Sequence, residues 1–82
     1  MTPILVAFGR TWHPAPFVVA CAPTDTGGLR LTCLAHQVRN MGKEVSITQA
    51  RWKIDGALWR TSSAMWMKDY LYVSVVKDTD DV

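Results

Sequence analysis

The stretch Gln49–Ala50–Arg51–Trp52–Lys53–Ile54–Asp55–Gly56–Ala57–Leu58–Trp59–Arg60 decides the fold, because it is compatible with two secondary structures. In the first, it is a β-hairpin whose two-residue turn is Asp55–Gly56, since both residues tolerate the positive φ that such a turn requires. Trp52 and Trp59 then face each other across the two strands. This interpretation predicts an antiparallel sheet built around the two tryptophans.

The same stretch also has the spacing of an amphipathic helix. Its apolar stripe would consist of Ile47, Ala50, Ile54, Ala57 and Leu58. Ser46 and Gln49 have the form of a capping box at the start of such a helix. The helix would carry Gly56 in its interior, at a cost of about 1 kcal/mol. The local pattern alone leaves both interpretations open.

Composition indicates one small folded domain. The chain has 82 residues, of which 49% are hydrophobic, which argues against disorder. A domain of this size buries only about 60% of the surface that its unfolded chain exposes. The net charge is +2, and the nine basic residues are spread along the sequence, which does not favour nucleic acid as a partner. No stretch near twenty residues stays apolar, so we expect no membrane span.

The sequence offers no arrangement of side chains for catalysis or metal binding. Cys21 and Cys33 are the two cysteines, and no Cys-x-x-Cys pair exists; His13 and His36 are far apart, so the four residues lack the spacing of a zinc site. The acidic and hydroxyl residues show no spacing that pairs an acid with a base, or a nucleophile with a histidine. We therefore expect a protein that is not an enzyme and needs no cofactor.

Several other segments have the pattern of strands. Residues 4–8 and 17–21 are short apolar runs, the second rich in β-branched side chains. Residues 65–76 alternate, which predicts one strand with Leu71 and Val73 on one face. Trp66, Tyr70 and Tyr72 would lie on the opposite face of that strand.

Residues 29–36 are the second ambiguous segment. As a strand, they place Leu29, Leu31, Cys33 and Ala35 on one face. As a helix, the segment extends to Met41, and Gly42 sits where a C-cap belongs. A second helix from Ser46 would then complete a helix-turn-helix in an α+β fold of order β-β-α-α-β. In that alternative, nucleic-acid phosphates would be contacted by Arg51, Lys53 and Arg60.

Four segments, taken in order, resemble the first half of an immunoglobulin constant-type (C1-set) domain. They are Pro14–Ala15–Pro16–Phe17–Val18–Val19, then residues 26–35 with Cys33 in an alternating apolar run, then Arg51–Trp52–Lys53–Ile54–Asp55–Gly56 at the end of residues 45–56, and finally Tyr70–Leu71–Tyr72–Val73–Ser74–Val75–Val76. The resemblance implies an all-β fold, an incomplete immunoglobulin-like antiparallel sandwich over residues 14–77. Residues 1–13 would be an N-terminal strand and a proline-containing loop, and residues 78–82 an acidic tail.

The resemblance implies that Cys33 and Trp52 pack together between two sheets. Two departures bear on function. The gap between Cys33 and Trp52 is longer than is usual in the family, and the sequence stops at Val82, where the sixth strand with its tyrosine and second cysteine would begin. The strand of Trp52 would then be an open edge beside an uncovered apolar face.

An open edge of this kind is a template for another strand. We therefore expect a non-catalytic protein-protein binding module that is completed by a partner chain or by self-association. Contacts with the partner are expected from Trp59, Trp66, Tyr70 and Tyr72, since tryptophan and tyrosine are frequent interface anchors. The resemblance implies a cell-surface or secreted protein, although the N-terminus lacks the form of a signal peptide.

Overall fold

The computed structural model describes residues 3–78, which form seven β-strands and two short helices. The strands are β1 (Leu5–Ala7), β2 (Trp12–Pro14), β3 (Val18–Pro23), β4 (Leu29–Leu34), β5 (Arg51–Ile54), β6 (Ala57–Trp66) and β7 (Tyr70–Lys77). Helix α1 covers Ala35–Asn40, and a 3₁₀ helix covers Glu44–Gln49. All neighbouring strands are antiparallel in one curled sheet of order β2-β1-β5-β6-β7-β4-β3, so the all-β prediction is confirmed.

The central hairpin forms as the first interpretation predicts. β5 pairs with β6, and Trp52 lies opposite Trp59. The turn residues Asp55 and Gly56 have φ of 52° and 80°, in the left-handed region that Asp tolerates and Gly adopts freely. The helical interpretation of this stretch is therefore wrong. An Asp–Gly pair weakens a helix interior, whereas it supplies the conformation that this turn needs.

The strand predicted over residues 45–56 begins only at Arg51, because the residues before it form the 3₁₀ helix. Ile47 and Ala50 are buried three residues apart, whereas Val45 is exposed. That spacing matches the three residues per turn of a 3₁₀ helix. The Ala50 N–H closes the last turn on the Ile47 carbonyl at 3.2 Å. The segment therefore buries its apolar side chains as a helical turn, which explains why strand alternation fails here.

The second ambiguous segment contains both structures, one after the other. β4 is followed directly by α1, in which Ala35 and Val38 are buried. Gly42 has a φ of 68° and donates its N–H to the Arg39 carbonyl at 2.9 Å, as expected of a residue that ends a helix. However, α1 has six residues, and no second α-helix follows it within residues 3–78. The alternative fold, a helix-turn-helix in β-β-α-α-β order, is thus contradicted.

The strand predicted over residues 65–76 is two strands joined by a tight turn. The Met67 N–H donates to the Tyr70 carbonyl at 2.8 Å and closes this turn. Trp66 pairs with Leu71, and residues directly opposite each other share a face of the sheet. Trp66 therefore lies on the same face as Leu71, and its predicted place on the opposite face is wrong. The chain reversal resets the alternation, which a single-strand interpretation cannot take into account.

A bulge in β6 keeps the core face continuous. Thr61 pairs with Val75, whereas Ala64 pairs with Val73, so β6 has one more residue than β7 over this interval. Strict alternation from Thr61 would turn Ala64 outward. The extra residue restores Ala64 to the core face, as β-bulges do when they re-aim side chains.

The core lies on the inner face of the curled sheet, together with the buried residues of the two helices. Trp52 and Cys33 are both 0% exposed and belong to this core. The Trp52 Nε1–H donates to Thr61 Oγ1 at 2.9 Å, and the Thr61 hydroxyl donates to the Ala50 carbonyl at 2.9 Å. These bonds satisfy the buried polar groups of both side chains, as buried polar groups require.

The edges of the sheet are β2 and β3. β5, which carries Trp52, lies between β1 and β6, so it is not the open edge that the resemblance implies. The physical reason is that residues 5–7 pair with β5 and cover it. β1 and β2 therefore belong to the same sheet as the other strands. The finer expectation of an immunoglobulin-like sandwich stays a prediction, and of the acidic tail, residues 79–82 lie outside the described residues.

Candidate functional site

The β3 edge is apolar, uncharged and exposed. Its sequence is Val-Val-Ala-Cys-Ala-Pro, and every residue after Val18 is exposed. Among residues 3–78, β4 is the one strand that pairs with β3. Exposed edges of folded proteins usually carry charges, especially lysine, because an apolar edge invites another strand. β3 carries no charged residue over Val18–Pro23, which makes it the first candidate for a binding site.

The backbone of Cys21 offers hydrogen-bonding groups at this edge. The Thr24 N–H donates to the Gly28 carbonyl at 2.9 Å, which marks these two as a bonded pair of the β3–β4 ladder. Bonded and non-bonded pairs alternate along an antiparallel ladder, and Cys21 pairs with Leu31 three positions further on. The pair of Cys21 and Leu31 is thus a non-bonded one, so the N–H and C=O of Cys21 point away from β4 and toward the free edge.

Two features restrict what can pair with β3. Pro23 lacks an N–H, and its position in a non-bonded pair leaves that missing donor on the free side. The register shifts between Val18 and Ala20, so β3 has a bulge near its start. Hydrogen bonds from an added strand are therefore concentrated around Cys21.

An apolar groove of about 540 Å³ lies beside the connection between β2 and β3, and the turn after β5 also contributes to it. We call it the seam groove. It is lined by Pro3, Ile4, Pro14, Ala15, Pro16, Val18, Cys21, Ile54 and Asp55. β2 and β3, the two edges, both contribute to this lining, so the groove runs along the free side of β3. An added strand would find pockets for its side chains beside the backbone groups that it bonds.

Asp55 is the charged residue in the lining of the seam groove. Partial burial, together with the nearby Asp55 carboxylate, raises the pKa of the Cys21 thiol. The thiol therefore stays neutral at neutral pH, and it presents a small, weakly polar surface to the groove. A ligand that fits here is mainly apolar, with a cation placed near Asp55.

The two cysteines are free and lie in different environments. Cys21 is exposed opposite Leu31, whereas Cys33 is buried opposite Val18. Burial raises the pKa of the Cys33 thiol to about 12. Because the folded state favours the neutral thiol, this contribution to stability is complete below about pH 9 and is lost as the pH rises toward 12.

We expect one thiol of the native protein to react with an aromatic disulfide reagent much faster than the other, and both thiols to react in denaturant. Cys21 reacts directly, whereas Cys33 reacts only after an opening of the core that slows it by a factor of about 100 or more. In the Cys21→Ala variant, the fast phase disappears. Two fast equivalents in the native wild-type protein would show that Cys33 is not enclosed.

The four aromatic residues predicted to contact a partner are dispersed, and the seam groove is lined by none of them. Trp59 and Trp66 are half-buried against the core. Tyr70 and Tyr72 lie on the outer face of the sheet, where Tyr70 is 42% exposed. The structure therefore does not bring these aromatics together at one surface.

The three cations of the alternative interpretation do come together, although no helix carries them. Arg51 lies directly opposite Arg60 on the neighbouring strand, and Lys53 follows two residues later on the same face. This outer face is the one opposite Trp52. Among residues 3–78, no three metal-ligating side chains form a group. None of the helices in that part of the chain has the length and apolar character needed to cross a membrane.

One residue of the sequence, Pro23, indicates that β3 is an edge strand. Pro23 ends an apolar, β-branched strand, and proline within a sheet is confined to edges, strand ends and bulges. The seam groove had no comparable signal, because residues far apart in sequence build it. Comparison of the chain with protein-family models, curated proteins and solved structures gave no match.

Proposed function

We propose that this protein is a non-catalytic binding module that takes up an extended segment of a partner protein along β3. The observation that carries the proposal is an uncharged, exposed edge whose Cys21 backbone groups point outward beside the seam groove. In strand addition, main-chain hydrogen bonds supply affinity and side-chain pockets supply specificity. Both parts lie next to each other here.

The occupant is an extended segment of a different chain, not a second copy of β3. Pairing two β3 edges would bring Pro23 and the bulge of each copy into the new ladder, where both reduce the number of hydrogen bonds. A flexible segment of another protein avoids this restriction, because it supplies a regular ladder opposite Cys21. Its inward side chains are expected to be apolar, with a lysine or arginine near Asp55.

The test selects peptides from a displayed random library against the wild-type protein and measures their affinity for two variants. Cys21→Pro removes the N–H that faces the free edge, and proline is tolerated where the donor faces solvent. We expect this substitution to weaken binding about tenfold, since one hydrogen bond across the edge contributes about 1 kcal/mol and the ring obstructs close pairing. The matched control, Cys21→Ala, keeps the N–H and is expected to retain affinity.

A second variant keeps the test valid if Cys21→Pro does not fold. Cys21→Trp leaves the backbone donor in place but fills the seam groove, so it is expected to abolish binding of the same peptides. Selected peptides that bind wild type and both blocking variants equally well would overturn the proposal. So would sedimentation that shows a concentration-dependent dimer which Cys21→Pro dissolves, because the occupant would then be a second copy.

A further inference from the structure

Four cations lie on the outer face of the sheet, which is the face opposite the core. They are Arg30, Arg51, Lys53 and Arg60, and each is next in sequence to a residue that faces the core. The sequence spreads them over more than thirty positions, whereas the strand order places them on β4, β5 and β6. We call this surface the cationic face.

Arg51 and Arg60 face each other directly across β5 and β6. Like charges in this position repel each other. Within residues 3–78, an ion pair joins Arg39 to Glu44, and none of the four cations pairs with a carboxylate. The arrangement therefore concentrates positive charge that an anion between the side chains would neutralise.

Trp12 holds two of these cations in position. The Arg51 guanidinium lies 5.4 Å and the Lys53 ammonium 4.4 Å from the centroid of its ring. Arg51 also donates through Nη2 to the Gly9 carbonyl at 3.0 Å. Cation–π contacts and this bond limit the freedom of the two side chains. The charges are thus preorganised, which lowers the entropy that a ligand loses when it binds.

Arg30 lies in a second part of the cationic face, beside aromatic and hydroxyl groups. A shallow depression of about 450 Å³ is lined by Arg30, Ser63, Met65, Tyr72 and Ser74, among other residues. Met65 is 62% exposed on this face. A flat, partly apolar surface of this kind accepts an unpaired base on the tyrosine ring or the guanidinium plane.

Among residues 3–78, two carboxylates lie near the cationic face. Asp25 belongs to the turn after β3 and lines a neighbouring depression with Arg30. Asp78 follows β7, and its N–H donates to the Leu58 carbonyl at 2.9 Å. Among the described residues, the four cations of the cationic face therefore outnumber the two carboxylates near them.

We propose that the cationic face binds single-stranded nucleic acid. The cations contact backbone phosphates. The ring of Tyr72 and the guanidinium plane of Arg30 stack on unpaired bases. A duplex fits less well, because among residues 3–78 no helix or two-stranded ribbon projects from this face to enter a groove. The proposal is independent of the binding of a peptide at β3, because the cations lie on the outer face, whereas Cys21 lies opposite Leu31 on the core face.

The test measures the affinity of the full chain for a fluorescent oligothymidylate as the salt concentration changes. Four phosphate contacts give a slope of about −2.8 for log K against log salt, so binding weakens about fiftyfold between about 50 and 200 mM. The double variant Arg30→Gln with Arg60→Gln removes two contacts. Its slope is expected to fall to about −1.4, and its affinity to weaken by only about sevenfold over the same range.

The matched control is Lys77→Gln, which removes one charge from the opposite face of the sheet, opposite Trp59. It is expected to leave the slope within about 0.3 of the wild-type value, since it removes no phosphate contact. Arg30 and Arg60 are exposed, so the double variant is expected to fold with an unchanged unfolding midpoint. Absence of binding at about 50 mM salt, an unaltered slope in the double variant, or equal affinity for a duplex of the same length would each overturn the proposal.

Discussion

Replacing Trp52 with alanine is expected to lower the free energy of unfolding by about 3–5 kcal/mol, the usual range for a fully buried large aromatic side chain. Trp52 is 0% exposed at the centre of the core. A domain of 82 residues has a total stability of only about 4–12 kcal/mol. The variant is therefore expected to lose a large fraction of its stability, which chemical denaturation followed by circular dichroism measures.

The loss of stability is expected to exceed that for an apolar side chain of similar size, because the indole also donates the first of two linked hydrogen bonds. Trp52 Nε1 donates to Thr61 Oγ1, which donates in turn to the Ala50 carbonyl. This chain ties β5 to β6 and to the end of the 3₁₀ helix. Removal of the indole leaves the buried Thr61 hydroxyl oxygen without the N–H from which it accepts a hydrogen bond. This loss adds about 1 kcal/mol or more to the cost of the cavity.

Trp59 provides the matched control for this prediction. It lies opposite Trp52, but its Nε1 is buried without a hydrogen-bond partner among residues 3–78. Trp59→Phe removes that unsatisfied donor, so we expect a change of less than about 1 kcal/mol. Trp52→Phe loses both volume and the bond to Thr61, and is expected to lose about 2 kcal/mol. Equal losses for the two phenylalanine variants would contradict the role given to the hydrogen-bond chain.

The second large effect is expected at Gly28, where the chain enters β4. A Cβ at this position would lie 2.5 Å from the backbone carbonyl oxygen of Val75 and 3.4 Å from the Thr24 hydroxyl oxygen. Backbone atoms of a central strand cannot move aside cheaply, so Gly28→Ala is expected to lower the free energy of unfolding by about 1–3 kcal/mol. The hairpin that presents β3 would loosen at the same time, because Thr24 Oγ1 accepts the Gly28 N–H at 3.1 Å.

Gly9 is the matched control, since a Cβ added there meets no atom within 4 Å. Gly9→Ala is expected to be neutral or slightly stabilising, because alanine restricts the unfolded chain more than glycine does. Urea denaturation of both variants measures the free energy of unfolding of each and so shows whether only Gly28→Ala is destabilised. If Gly28→Ala and Gly9→Ala were equally stable, the close approach of β4 to the Val75 carbonyl would be refuted.

The sequence predicted those parts of the fold that depend on local chemistry. The Asp55–Gly56 turn, the alternation around Leu71 and the C-cap at Gly42 were each readable from a few neighbouring residues. The prediction of secondary structure failed in the two ambiguous segments, because the type of secondary structure changes within each of them. β4 passes directly into α1, and a 3₁₀ turn precedes β5, so a single periodicity fits neither segment.

The order of strands was not predictable in this way. β1 pairs with β5, more than forty positions later, and thereby covers the strand of Trp52 that the sequence analysis left as an edge. The two candidate surfaces depend on the same long-range pairing. Arg30 and Arg60 share a face only because β7 lies between their strands, and the seam groove exists only because the sheet curls. Neither arrangement can be predicted from the composition of a short stretch of sequence.

Hydrogen exchange measured by NMR shows whether the backbone of Cys21 faces outward from β3. In the free protein, the Cys21 amide is expected to exchange much faster than those of Ala20 and Ala22, which point toward β4, and faster than that of Trp52 in the interior of the sheet. Saturation with a selected peptide is expected to protect the Cys21 amide selectively. A Cys21 amide that is as protected as that of Ala22 in the free protein, or that remains fast in the peptide complex, would contradict the account.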